Sequence, residues 1–163
     1  MRSIIAYTTA ASRLCKRSFT GIAVALCWLI VASTSLSSAF AAEIPSDDEQ
    51  DVLVRATLMT FNDANMTGNY SILLAKAAKE FQAQFTAEKL AAAFAAFRNG
   101  SSIEDVVTAD YDSYEKAKLA PDGELVLAGV FKTDDMEVTY QLKFFQNDKV
   151  WKMSGIDVNA KKI

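Results

Sequence analysis

The chain has 163 residues, with 17 basic and 20 acidic side chains, two cysteines and no histidine. Four basic residues and both cysteines precede residue 42, and every acidic residue follows it, so the later part carries 13 basic against 20 acidic residues, a net charge of −7. This surface charge argues against nucleic acid and anionic lipid membranes as partners. Without histidine or cysteine after residue 42, we expect no metal and no cofactor in that part.

The first 41 residues have the pattern of a signal peptide. A basic start is followed by the apolar run "GIAVALCWLIV" and by "SAFAAE", in which Ala39 and Ala41 have the small-x-small spacing of a cleavage site. We predict cleavage between Ala41 and Ala42, leaving residues 42–163 as one domain without membrane attachment. An uncleaved anchor is the alternative, but the apolar run is short for a membrane span. Because the remaining chain lacks the disulfides common in secreted eukaryotic domains, we expect export to a bacterial periplasm or medium.

Three helices are predicted after the leader. Ser46 and Glu49 have capping-box spacing, which predicts a helix from Asp47 to Ala64. Apolar residues then recur at helical spacing from Tyr70 to Phe85, which predicts one continuous second helix. Thr86 can cap a third helix, which an Asn-Gly pair at 99–100 would end.

The hydrophobic period changes from 3.6 to 2 after residue 110. Four strands are predicted, over residues 111–120, 124–131, 136–144 and 149–158. The short turns between them indicate an antiparallel meander, and helices followed by strands indicate an α+β fold. We expect a core between helices and sheet that includes Leu74, Phe81, Phe94, Phe97, Tyr140, Leu142, Phe144 and Trp151.

Two long segments resemble the nuclear transport factor 2-like superfamily. The first is "LMTFNDANMTGNYSILLAKAAKEFQAQFTAEKLAAAF", and the second is "LVLAGVF…VTYQLKFFQNDKVWKMSGIDV". Together they cover essentially the whole chain after the leader, and they are similar to small secreted bacterial members of unknown function. The resemblance implies three N-terminal helices packed on a curved four-stranded meander, a cone or cystatin-like roll. Family members include isomerases, dehydratases, transport adaptors and non-catalytic domains, so this fold does not decide the function.

Three aromatic residues are candidate ligand contacts. In "KVWKMSGIDVN", Trp151 shares a strand face with Met153, and we interpret it as a core residue before a ligand contact. A strand glycine often marks a bulge, so we expect one at Ser154-Gly155. Tyr140 is the best candidate for a polar tip inside a pocket, and Tyr114 is the third candidate.

The segment "ADYDSYE" gathers carboxylates and phenols that could form an acid–base site. Its members are Asp110, Tyr111, Asp112, Tyr114 and Glu115. Strand alternation would separate Asp112 from Tyr111 and place it beside Tyr114. We interpret this segment as a solvated strand entrance, and "SDDEQD" as a helix start and not a metal site.

The sequence therefore favours a non-catalytic exported domain. We expect it to bind a small apolar ligand or a protein partner through the concave sheet. One alternative is a small isomerase or dehydratase that works with Asp and Tyr. Another is a structural module that forms a homodimer through its sheet.

Overall fold

The structure is a computed structural model that describes residues 43–99 and 102–163. The predicted signal peptide, the cleavage site at Ala41 and Ala42, and Gly100 lie outside these residues. Within the described ranges, no helix is both long enough and apolar enough to cross a bilayer.

Helices precede strands in the described ranges, which confirms the α+β class and the antiparallel sheet. The helices are α1 (Asp47–Thr67), α2 (Ser71–Lys76), α3 (Lys79–Gln84) and α4 (Ala87–Ala93), followed by 3-10 turns at Phe97–Asn99 and Glu104–Val107. The strands are β1 (Tyr111–Tyr114), β2 (Lys118–Leu119), β3 (Leu125–Lys132), β4 (Met136–Asn147) and β5 (Val150–Lys162).

Helix α1 begins as its capping box predicts. The backbone N–H of Ser46 donates to Glu49 Oε2 over 2.9 Å, and the N–H of Glu49 donates to Ser46 Oγ over 3.4 Å. The helix continues beyond the predicted end at Ala64 and stops before Gly68, whose φ of 71° is the left-handed conformation that ends many helices.

The predicted single helix over 70–85 is wrong, because it is divided into α2 and α3. Between them Ala77 and Ala78 are extended, with ψ of 165° and 155°. The N–H of Ala78 donates to the carbonyl of Met153 over 2.7 Å, so the break is held against strand β5. Both alanines are fully buried, so the apolar spacing reflects burial but not a continuous helix.

The third helix begins at its predicted cap but ends early. The N–H of Lys89 donates to Thr86 Oγ1 over 3.3 Å, whereas α4 stops at Ala93 and does not reach residue 99. Beyond it, Phe94 and Phe97 place their rings edge-on against Phe61, with centroids 4.8 and 5.0 Å away. These aromatic contacts fix the end of the helical layer on α1.

The sheet follows the predicted meander, in the order β1-β3-β4-β5 with antiparallel neighbours. The predicted first strand is corrected to two pieces, since β1 and β2 each pair with β3. The bulge in β5 is confirmed. Lys143 is opposite Gly155 whereas Phe144 is opposite Met153, so Ser154 has no partner and Val158 turns back to the core beside Tyr140.

The core contains only part of the predicted set. Phe81, Tyr140, Leu142 and Phe144 are buried, as predicted. The other four, Leu74, Phe94, Phe97 and Trp151, are only partly buried and pack against the core from its margin. Trp151 is therefore a border residue and not a fully enclosed one.

Candidate functional site

A cleft of about 190 Å³ lies between the first turns of α1 and the start of the sheet. We call it the tyrosine cleft. Helix α1 contributes four residues, the sheet contributes three tyrosines and a small apolar floor, and the residue after β1 contributes a glutamate. None of the lining residues is basic. They are Asp47, Gln50, Asp51, Val54, Tyr111, Tyr114, Glu115, Leu127, Ala128 and Tyr140.

A bulge in β1 brings two of these tyrosines to one side of the sheet. Tyr111 is opposite Phe131 and Tyr114 is opposite Gly129, with the register shift between Tyr111 and Ser113. The two tyrosine rings meet edge to face, with centroids 5.8 Å apart. The strict alternation expected over this segment is therefore wrong, because the extra residue of a bulge puts Tyr111 and Tyr114 on the same side.

Asp51 supplies the carboxylate of the cleft. Its Oδ1 accepts hydrogen bonds from the Tyr111 hydroxyl and from Arg55 Nε, each over 2.7 Å. Burial acts to raise the pKa of Asp51, but these two hydrogen bonds and the charge of Arg55 outweigh it and hold the pKa below the ordinary aspartate value. Because both bonds end on Oδ1, the second oxygen keeps its capacity to accept from a ligand.

Arg55 stabilises the position of Asp51 through contacts with other segments of the chain. Its Nη1 donates to three backbone carbonyls in segment 106–109. Its guanidinium carbon lies 5.2 Å from the ring centroid of Tyr111 and 5.0 Å from that of Phe131. Arg55 therefore links α1 to the segment before β1 and to the sheet, and fixes the position of Asp51.

The buried Tyr140 reaches the cleft over a glycine. A Cβ atom at Gly129 would lie 2.7 Å from the Tyr140 hydroxyl and 2.8 Å from the carbonyl oxygen of Ser113. Burial raises the pKa of Tyr140 to about 12. Burial and the hydrogen bond to Asp51 raise the pKa of Tyr111 further. Both phenols are therefore neutral near pH 7 and serve as hydrogen-bonding groups.

The structure brings two of the three candidate ligand contacts together. Tyr114, which is 74% exposed, and Tyr140 both line the tyrosine cleft. Trp151 lies elsewhere, on another side of α1 beside Val52 and Leu53. Of the acids in "ADYDSYE", Glu115 lines the cleft, with its carboxylate 2.6 Å from Lys118 Nζ.

Sequence reasoning missed the carboxylate of the site. Asp51 is the last residue of "SDDEQD", where the neighbouring acids do serve the helix start. Its spacing of four from Arg55 was visible as a helical ion pair. Its contact with Tyr111, 60 residues later, has no local signal.

No protein-family model, no curated protein and no solved structure matches this chain. The resemblance to the nuclear transport factor 2-like superfamily stays a prediction. Residues 43–99 and 102–163 also contain no group of three or more acidic, histidine or cysteine side chains arranged to hold a metal ion.

Proposed function

We propose that this chain is a non-catalytic, exported binding domain that takes a small molecule in the tyrosine cleft. The observation that carries the proposal is the Asp51–Tyr111 hydrogen bond in the wall of a partly apolar cleft. A small number of polar groups converging on an apolar concavity is typical of small-molecule sites.

The volume of the cleft supports a ligand of about one ring. A cavity of roughly 150 Å³ holds benzene, whereas pockets for drug-sized molecules run from about 300 to 1,000 Å³. The 190 Å³ of the tyrosine cleft falls near the lower figure. The cleft therefore suits a ring with one or two polar groups, and a further concavity of about 480 Å³ that shares Tyr114, Glu115, Ala128 and Tyr140 adjoins it.

The direction of the pKa shifts favours binding over acid–base chemistry. A general base works best when its pKa is close to the working pH. The pKa of Asp51 is moved down, away from neutrality, and the pKa values of Tyr111 and Tyr140 are moved up. These groups suit fixed hydrogen-bond recognition better than proton transfer in an isomerase or dehydratase.

The order of the elements supports the proposed superfamily membership. Helices followed by a meander, with a bulge at the glycine of the last strand, agree with the predicted cone-like roll. Export is proposed from the pattern of the first 41 residues. A homodimer formed through the sheet stays a prediction.

Ligand-observed NMR with a panel of one-ring phenols, amides and amines tests this function. Tyr114→Ala and Asp51→Asn should each weaken or abolish the binding of any compound that the wild type binds. Ile72→Ala, an exposed apolar position outside the cleft, is the matched control. Equal binding by all variants would place the site elsewhere. Turnover of a bound compound that is lost in Asp51→Asn would favour the enzyme alternative.

A further inference from the structure

A second concave surface runs along another side of α1. Two adjoining concavities of about 480 and 410 Å³ share Val52, Leu53, Val150 and Trp151. We call them together the Trp151 groove. None of these four residues lines the tyrosine cleft, so the two sites are separate.

The groove is long and its walls are mainly apolar. From Asp48 to Thr60 it follows twelve helical steps, about 18 Å at a rise of 1.5 Å per step. Val52 is 64% exposed and Val150 is 57% exposed, on either side of the half-buried Trp151. Grouped exposed apolar side chains mark interaction sites. The length suits a linear chain better than a compact ring.

The two ends of the groove differ in charge. At one end Lys76 Nζ donates to Thr60 Oγ1 over 3.1 Å. Lys76 forms no ion pair in the described part of the chain. An ammonium group carries three donors, so it can bind an anion as well. Lys152 also lines this concavity. Asp48, Glu49 and Lys149 lie at the opposite end, where the two acidic residues outnumber the one basic residue and disfavour an anionic group.

We propose that the Trp151 groove binds a single-chain anionic amphiphile, a medium-chain carboxylate. The carboxylate binds Lys76 at the Thr60 end, and the hydrocarbon chain lies along Val52, Leu53 and Trp151. The difference in charge between the two ends sets the direction of the chain. The proposal does not depend on any ligand of the tyrosine cleft.

Fluorescence titration tests this site in the Trp28→Phe background, where Trp151 is the only tryptophan. Octanoate, decanoate and dodecanoate are added below their micelle concentrations. A saturable blue shift is expected, with affinity rising up to about fourfold per methylene added. Decanol should bind about two- to fivefold more weakly than decanoate, because it lacks the ion pair with an exposed lysine. No saturable shift with any carboxylate would overturn the proposal.

Three variants in the same background assign the contacts. Lys76→Met should weaken decanoate binding toward the level of decanol, with Lys152 still lining the groove, and leave decanol binding unchanged. Lys79→Met, an exposed lysine outside the groove, is the matched control. Ala56→Phe adds a ring at an exposed groove position and should abolish both ligands. Unchanged decanoate binding in either Lys76→Met or Ala56→Phe would refute the assignment, and Tyr114→Ala should bind decanoate normally.

Discussion

Replacing Gly129 by alanine tests the packing that places Tyr140 in the tyrosine cleft. The new Cβ would be 2.7 Å from the Tyr140 hydroxyl and 2.8 Å from the carbonyl oxygen of Ser113. Ordinary contacts of this kind begin near 3.5 Å, so the neighbours must retreat by at least roughly half an ångström. Of the two obstacles, the carbonyl belongs to strand β1 and cannot rotate away.

Overpacking of this kind costs about 1–3 kcal/mol, and the loss of glycine freedom in the unfolded chain returns about 0.4–1 kcal/mol. The difference runs from about 0 to 2.6 kcal/mol. We expect a net destabilisation near its middle, about 1.3 kcal/mol, or roughly 5 °C in melting temperature. Urea unfolding followed by circular dichroism measures it. Tyr140→Phe removes one of the two obstacles. The double variant should therefore lose less stability than the sum of the two single variants, by at least about 0.5 kcal/mol.

Gly155→Ala is the matched control in the same sheet. Its Cβ would lie 3.0 Å from Lys143 Cδ, which belongs to a flexible side chain that can move, and 3.3 Å from Lys143 Cβ, which requires only a small shift. We expect a change within about 0.5 kcal/mol of wild type. If both glycine variants were equally stable, the close approach of Tyr140 to Gly129 would be wrong.

Three further predictions concern stability. Phe144→Ala should cost about 3–5 kcal/mol in urea unfolding, whereas the exposed Lys132→Ala should change little; equal effects would mean that the strand faces are misassigned. Ser46→Ala should cost about 1 kcal/mol, measured in the same way, through the lost cap; no loss would contradict the capping box. Burial raises the pKa of Tyr140 from 10.0 to about 12. The stability that comes from holding this phenol protonated in the folded state is therefore complete below pH 10 and is lost as the pH rises through 12. Tyr140→Phe should reduce the loss of stability measured between these pH values, and an unchanged profile would contradict the burial.

Elements set by neighbouring residues were predictable from the sequence. The spacing of Ser46 and Glu49 predicted the start of α1, and alternation predicted the buried face of β4. The break at Ala77-Ala78 was not predictable, because alanine has the highest helix propensity. The break is stabilised by a hydrogen bond to Met153, far along the chain. A tertiary contact here overrides a strong local preference.

The candidate site was predictable only where it depended on composition. Tyrosines at 111, 114 and 140 were visible as amphipathic side chains in a strand-rich segment. Their convergence depends on the β1 bulge, which lacks the glycine that signalled the bulge in β5. The partner carboxylate of Asp51 comes from a helix whose acids all suit an N-terminus. Local patterns therefore identified the candidate side chains but did not predict that they converge in the folded chain.

Helix α1 connects the two proposed sites because its sides face different surroundings. Val54, Leu58 and Phe61 form its buried side. Asp51, next to that side, contacts the tyrosine cleft, and Val52, one residue later, is turned by about 100° toward the Trp151 groove. Adjacent residues of one helix thus contribute a carboxylate to one site and an apolar wall to the other. Since Arg55 anchors this helix to segment 106–109, loosening that anchor should disturb the nearby cleft more than the groove.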